Sequence, residues 1–171
     1  MAIGALTGFT PLLTISFGTL LLATLAAVIF FDVTELRIPD SLNILLLMGG
    51  LAQALMLGLS EDRAIHVAVG YALAASVACG GLFWIVRQLH HRLRGHIGLG
   101  LGDVKMAAAL APWVHPANIS LVILMACLTG LIYVLFARGR EHFVDRGGRI
   151  PFGLFLGLGL IFIWATERVV S

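Results

Sequence analysis

The chain has 171 residues, of which 60% are hydrophobic and only 12% charged, with a mean hydropathy of +1.02. That is too little polar side chain to cover a water-soluble surface of this size, so the chain must be solvated by lipid. A formal charge of +2, carried by basic residues at the ends of apolar runs, gives no footing for nucleic-acid binding. Cys79 and Cys127 stand alone inside apolar runs, which predicts two buried, inert thiols and neither a zinc knuckle nor a disulfide.

The first ten residues carry no side-chain charge, so the basic start of a cleavable signal peptide is missing and the first apolar stretch reads as a retained helix. Lipid offers no partner to free backbone groups, which predicts an all-α bundle. Six spans are expected, over residues 11–31, 41–59, 64–86, 102–114, 117–137 and 150–166. The fourth is too short to cross alone. It is expected either to begin in the glycine-rich stretch before it or to start within a cavity lined by its neighbours. Residues 1–171 are expected to form one membrane domain with no soluble part, and the longest polar connection is 138–149.

Orientation follows from the excess of Lys and Arg in cytoplasmic loops. One face collects Arg37, Arg87, Arg92, Arg94, Lys105, Arg138, Arg140, Arg146 and Arg149, against Arg63 and Arg168 on the other. This bias predicts both termini outside an inner, cytoplasmic membrane and the three longer loops within. Six spans satisfy that parity.

The nine acids divide by setting. Glu61, Asp62 and Glu167 read as ordinary charges of outer loops or ends, and Glu141 and Asp145 share a loop with four arginines. Asp32 directly follows Val28-Ile29-Phe30-Phe31, and Asp103 lies between Gly100-Leu101-Gly102 and Val104. Two spans separate them, so both return to the same side at the same depth, where an ionisable group is expensive unless it pairs, meets water or performs a task. Two close carboxylates in a partly desolvated site share one proton. Such a pair polarises a water for attack on a peptide carbonyl and protonates the leaving nitrogen, as in aspartic peptidases.

Gly98, Gly100 and Gly102 alternate before Asp103, removing side chains where a substrate backbone approaches. The alternative is that they only allow close helix packing and that Asp103 caps a helix, where the dipole favours its anion.

Three segments together resemble the type IV prepilin peptidases, the bacterial branch of the G-x-G-D aspartic peptidases. They are D-V-T-E-L-R-I-P-D from Asp32 to Asp40, G-L-G-D-V-K from Gly100 to Lys105, and I-P-F-G-L-F-L from Ile150 to Leu156. The resemblance implies that Asp32 and Asp103 are the catalytic pair, needing no metal or cofactor. It also implies a prepilin or pilin-like precursor as partner, its leader cut on the cytoplasmic side before the pilin's hydrophobic helix. Longer relatives carry a zinc-binding extension with paired C-x-x-C motifs that accompanies N-methylation. Lacking it, this chain resembles the short peptidase-only form of Flp/Tad-type pili and the archaeal preflagellin peptidases. Presenilin-like relatives pair G-x-G-D with Tyr-Asp and Pro-Ala-Leu, where this chain has Phe31-Asp32 and Pro151-Phe152-Gly153. Asp40 stands where many members have asparagine and Leu154 where many have a second proline. Both departures are expected to leave the chemistry untouched, with Asp40 still capping the second helix.

Lys105 lies two residues past Asp103, about 200° round a helix, so direct pairing with it is not expected. Substrate contact, lipid headgroup contact and snorkelling stay open. His90, His91 and His96 share a loop with three arginines, without metal-ligand spacing, and read as a basic loop near anionic lipid. Pro39 is expected to fix the start of the second helix, making 33–38 a short rigid loop that holds Asp32. Pro151, Phe152 and Gly153 either free backbone groups for an extended substrate or simply start a helix. The rival function is a small transporter or ion-binding bundle using the same two aspartates. The acids at one end of the spans and the lack of an inverted repeat speak against it. A non-catalytic assembly subunit is a third reading, and oligomeric state is left open.

Overall fold

A computed structural model describes residues 9–35, 37–60, 64–95, 98–137 and 151–170. The arginine-rich segment 138–149, Ile150, Leu36, Glu61, Asp62, Arg63 and His96 lie outside the described residues. Six α-helices and no strand occur among those described: α1 (Phe9–Glu35), α2 (Asp40–Ser60), α3 (Ile65–Arg94), α4 (Leu101–Leu110), α5 (Ile119–Ala137) and α6 (Phe152–Val170). Four segments are long and apolar enough to cross a membrane, namely Pro11–Glu35, Asp40–Leu59, Ile65–Arg94 and Pro116–Phe136.

The bundle is apolar outside as well as in its core. Leucine, isoleucine, valine and phenylalanine cover the outside, whereas Thr24, Asp32, Asn43, Gln53 and Ser76 are buried. Thr24 and Ser76 return their hydroxyls to carbonyls of their own helices, at 2.8 and 3.1 Å. Lipid supplies no hydrophobic drive between helices, so close contact at small residues does the packing. A Cβ added at Gly159 of α6 would stand 2.7 Å from the Val122 carbonyl of α5, and one at Gly80 of α3 would stand 2.9 Å from Ala108 of α4.

The fourth helix is short, as expected, and does not extend back into the glycines. Pro112 and Pro116, lacking N–H donors, break the chain after Leu110 into 3₁₀ turns at Ala111–Trp113 and Pro116–Asn118. Helix and first turn together reach about 20 Å, short of the roughly 30 Å hydrocarbon depth. Trp113 ends this half-span, 1% exposed. Its Nε1 donates to the Leu46 carbonyl at 2.7 Å, and its own carbonyl accepts from Gln53 Nε2 at 3.0 Å. Trp164 Nε1 of α6 donates to Gln53 Oε1 at 2.8 Å, so one buried amide joins α2, α6 and the turn after α4.

Several expectations change. Helix α1 continues past Phe31 to Glu35, because no breaker intervenes before Ile38 and Pro39, so among the described residues the predicted loop 33–38 is non-helical only at Arg37 and Ile38. Helix α3 runs 30 residues, about 45 Å, so Arg87, His90, His91, Arg92 and Arg94 stand on its final turns rather than in a loop. It stops at Gly95, whose φ of 72° forms a left-handed cap with its N–H on the His91 carbonyl. Cys79 is buried as predicted, but Cys127 is exposed on the outward face of α5. Glu167 is no solvated end charge: it accepts from the His115 backbone N–H at 2.9 Å and from Asn118 Nδ2 at 2.6 Å, tying α6 to the turn before α5.

Candidate active site

Asp32 sits three residues before the end of α1 and is 5% exposed. Its Oδ2 accepts the Leu154 N–H at 3.1 Å, with the Gly153 N–H alongside. Both donors belong to the first turn of α6, where backbone N–H groups lack intrahelical partners and the helix dipole suits an anion. The Pro-Phe-Gly segment therefore starts a helix whose open end faces Asp32. Gly153 is required there: a Cβ would stand 2.8 Å from Asp32 Oδ2 and 3.0 Å from Ile38 Cδ1. Leu154 also matters, because a proline in its place has no N–H to give. The expectation that this departure is remote from the chemistry is corrected.

Asp103 is the third residue of α4 and is partly buried. It does not cap the helix. Gly100 holds the cap position without a side chain, and Asp103 reaches back to the Gly100 N–H. Its Oδ2 lies 3.0 Å from where a Cβ of residue 100 would be, so Gly100 makes room for the carboxylate itself. The two aspartates are close enough for the charge of Asp32 to act on Asp103.

Ile38, 6% exposed, packs beside both aspartates' helices. Its side chain meets Gly153 beside Asp32 and lies 3.4 Å from a Cβ position at Gly102, one residue before Asp103. Gly102 thus serves close packing. Gly98 lies under the His90 ring of α3, 2.6 Å from Cε1 at its Cβ position. Phe152 stacks obliquely on Phe83 of α3, ring centroids 6.3 Å apart, which anchors the start of α6.

Pro39 accepts at its carbonyl from the N–H groups of Leu42 and Asn43, at 3.1 and 3.4 Å, and so begins α2. Asp40, the first helical residue, does not cap it. Its carboxylate instead takes both bonds from Lys105 Nζ of α4, at 2.6 and 2.8 Å. Lys105 points away from Asp103, as the helical offset requires, and is engaged rather than snorkelling.

The structure thus gathers Asp32, Asp103, Gly100, Gly102, Gly153, Pro39 and Lys105 at one end of the bundle. Sequence reasoning missed Ile38 as the wedge and Asp40 as the partner of Lys105. The parity that returns α1 and α4 to one side also returns Asp40 to that side, and opposite charges there were the available signal. A cavity of about 970 Å³ opens at the other end, lined among others by Gln53, Leu57, Tyr71, Trp113, His115 and Glu167, away from the aspartates.

Residues 19–135 match the model of the type IV leader peptidase family. Among curated proteins, the chain is 33% identical over 159 residues to the prepilin leader peptidase/N-methyltransferase of Xanthomonas campestris pv. campestris, covering 90% of this chain and 52% of that protein. It is 34% identical over 163 residues to the protein of the same name from Burkholderia pseudomallei, covering 93% and 49%. For that of Aeromonas salmonicida the identity is 32% over 162 residues, covering 91% and 53%. The chain therefore spans about half the length of the curated relatives it matches. No solved structure matches it. On the family match, which includes both aspartates, the chain belongs to the type IV leader peptidase family.

Proposed function

We propose that this chain is an aspartic endopeptidase of the cytoplasmic membrane that removes the leader of prepilin-like precursors at the cytoplasmic face. Asp32 and Asp103 activate a water between them, with no metal or cofactor. The observation that carries this reading is the meeting of these two carboxylates at one end of an apolar bundle, where α1, α4 and α6 converge. One carboxylate takes a proton from the water as its oxygen bonds to the scissile carbonyl carbon. The protonated partner hydrogen-bonds the carbonyl oxygen. The carbon–nitrogen bond then breaks as the leaving nitrogen accepts a proton from the pair. Because the two titrate as a unit, the roles belong to the pair rather than to either residue. The names of the relatives supply prepilin as the substrate class.

In this reading the six helices form one membrane domain with both termini outside, and the connection after α1 with Arg37 and the end of α3 with Arg87–Arg94 face the cytoplasm. Co-expression with a prepilin tests the chemistry. Asp32→Asn and Asp103→Asn are each expected to lower leader removal by at least about 10²-fold, the lower range for losing general acid–base catalysis. Processing at the wild-type rate by both variants, read by gel shift, would sink the peptidase reading.

A further inference from the structure

The short connection between α1 and α2 holds α4 at two points. Ile38 wedges its side chain against Gly102, and two residues later Asp40 grips Lys105 with both carboxylate oxygens. The same Ile38 abuts Gly153 beside Asp32. The chain leaving the Asp32 helix therefore clamps the helix that carries Asp103, one residue before the aspartate and two residues after it.

The energetics say what the ion pair is for. Its side chains are 49% and 66% exposed, and a pair so accessible to solvent contributes little to stability. It can nevertheless fix the rotation and height of the first turn of α4, whose cap position is a glycine with no side chain to anchor it. A misplacement of about 1 Å in a reacting group costs up to about 10²-fold in rate. We propose that Ile38, Asp40 and Lys105 form a positioning clamp that sets the separation of Asp32 and Asp103. This rests on the peptidase reading above. Asp40 and Lys105 touch neither aspartate and act through the α2–α4 contact. Aspartate at position 40 makes the contact to Lys105 bidentate and ionic.

The test uses the full chain in proteoliposomes with a purified prepilin-like substrate. Wild type and Asp103→Asn run in the same assay, so loss of the peptidase reading shows as equal activity of those two, whatever the clamp variants do. Asp40→Lys and Lys105→Asp are each expected to lower kcat about tenfold, within the cost of a sub-ångström shift, with KM changed less than twofold. The double exchange is expected to restore at least half of the lost kcat, and Lys105→Arg to stay near wild type. Should the reversals fail to accumulate in the membrane, Asp40→Ala, Lys105→Ala and their double variant close a cycle in which the double loses no more than either single. A rise in KM at constant kcat would instead make Lys105 a substrate contact. That result, or a double exchange no better than the singles, overturns the clamp.

Discussion

A methyl group at Gly153 has nowhere to go except into Asp32 or Ile38. Alanine is the better helix former by up to about 1 kcal/mol, so Gly153→Ala is expected to leave α6 at least as stable. Leader removal is nonetheless expected to fall by about 10²-fold, because the Asp32 carboxylate must shift off the Leu154 N–H. Measuring thermal stability beside the cleavage rate separates the two effects; an unchanged rate would mean that Asp32 has slack. The aspartates themselves were legible in the sequence, since an acid next to an unbroken apolar run stands out by its cost. Their neighbours were not. The helical offset says where Lys105 does not point, but naming Asp40 as its partner requires the relative rotation of α2 and α4, which only packing sets. Glu167 was likewise misread as a solvated end charge, because its donors come from a 3₁₀ turn 49 and 52 residues away.

At the level of elements, hydrophobic length was a sound guide to where helices lie and a poor one to where they end. Helix α3 outruns its apolar stretch by two turns, since nothing between Val86 and Gly95 forbids helix. Helix α4 does the opposite: the expected span 102–114 runs through Pro112, and the helix stops at Leu110, where the chain turns into 3₁₀ geometry. The extended ends of α1 and α3 carry a topological prediction. Cysteines placed singly at Glu35 and His91 in a chain lacking Cys79 and Cys127 are expected to react with an impermeant maleimide only from the cytoplasmic side. Labelling in intact cells would reverse the orientation and move the aspartates outside.

On the scale of the whole molecule, the half-span α4 leaves the bundle polar at one end, with the aspartates, and hollow at the other, with the 970 Å³ cavity. Between Asp103 and Trp113, which lines the cavity, the chain carries the fully buried Met106, Ala107, Leu110 and Ala111. Trp113 is packed against Gly49 and Gly50 and edge-on to Phe17, centroids 6.5 Å apart, with both its ring N–H and its carbonyl bonded. A transporter needs a passage at this level; here the passage is filled. Removing the indole by Trp113→Ala is expected to let proteoliposomes lose an imposed proton gradient, followed by a trapped pH dye, while wild-type vesicles stay tight. Vesicles of the variant that hold the gradient would assign the barrier elsewhere. Across an energised membrane each proton that leaks forfeits about 2.3 kcal/mol per 100 mV. Under the proposed function, carboxylates that admit water at one side of a coupling membrane must be insulated from the other, and Trp113 closes the far end of the packed layer that a helix too short to cross leaves above them.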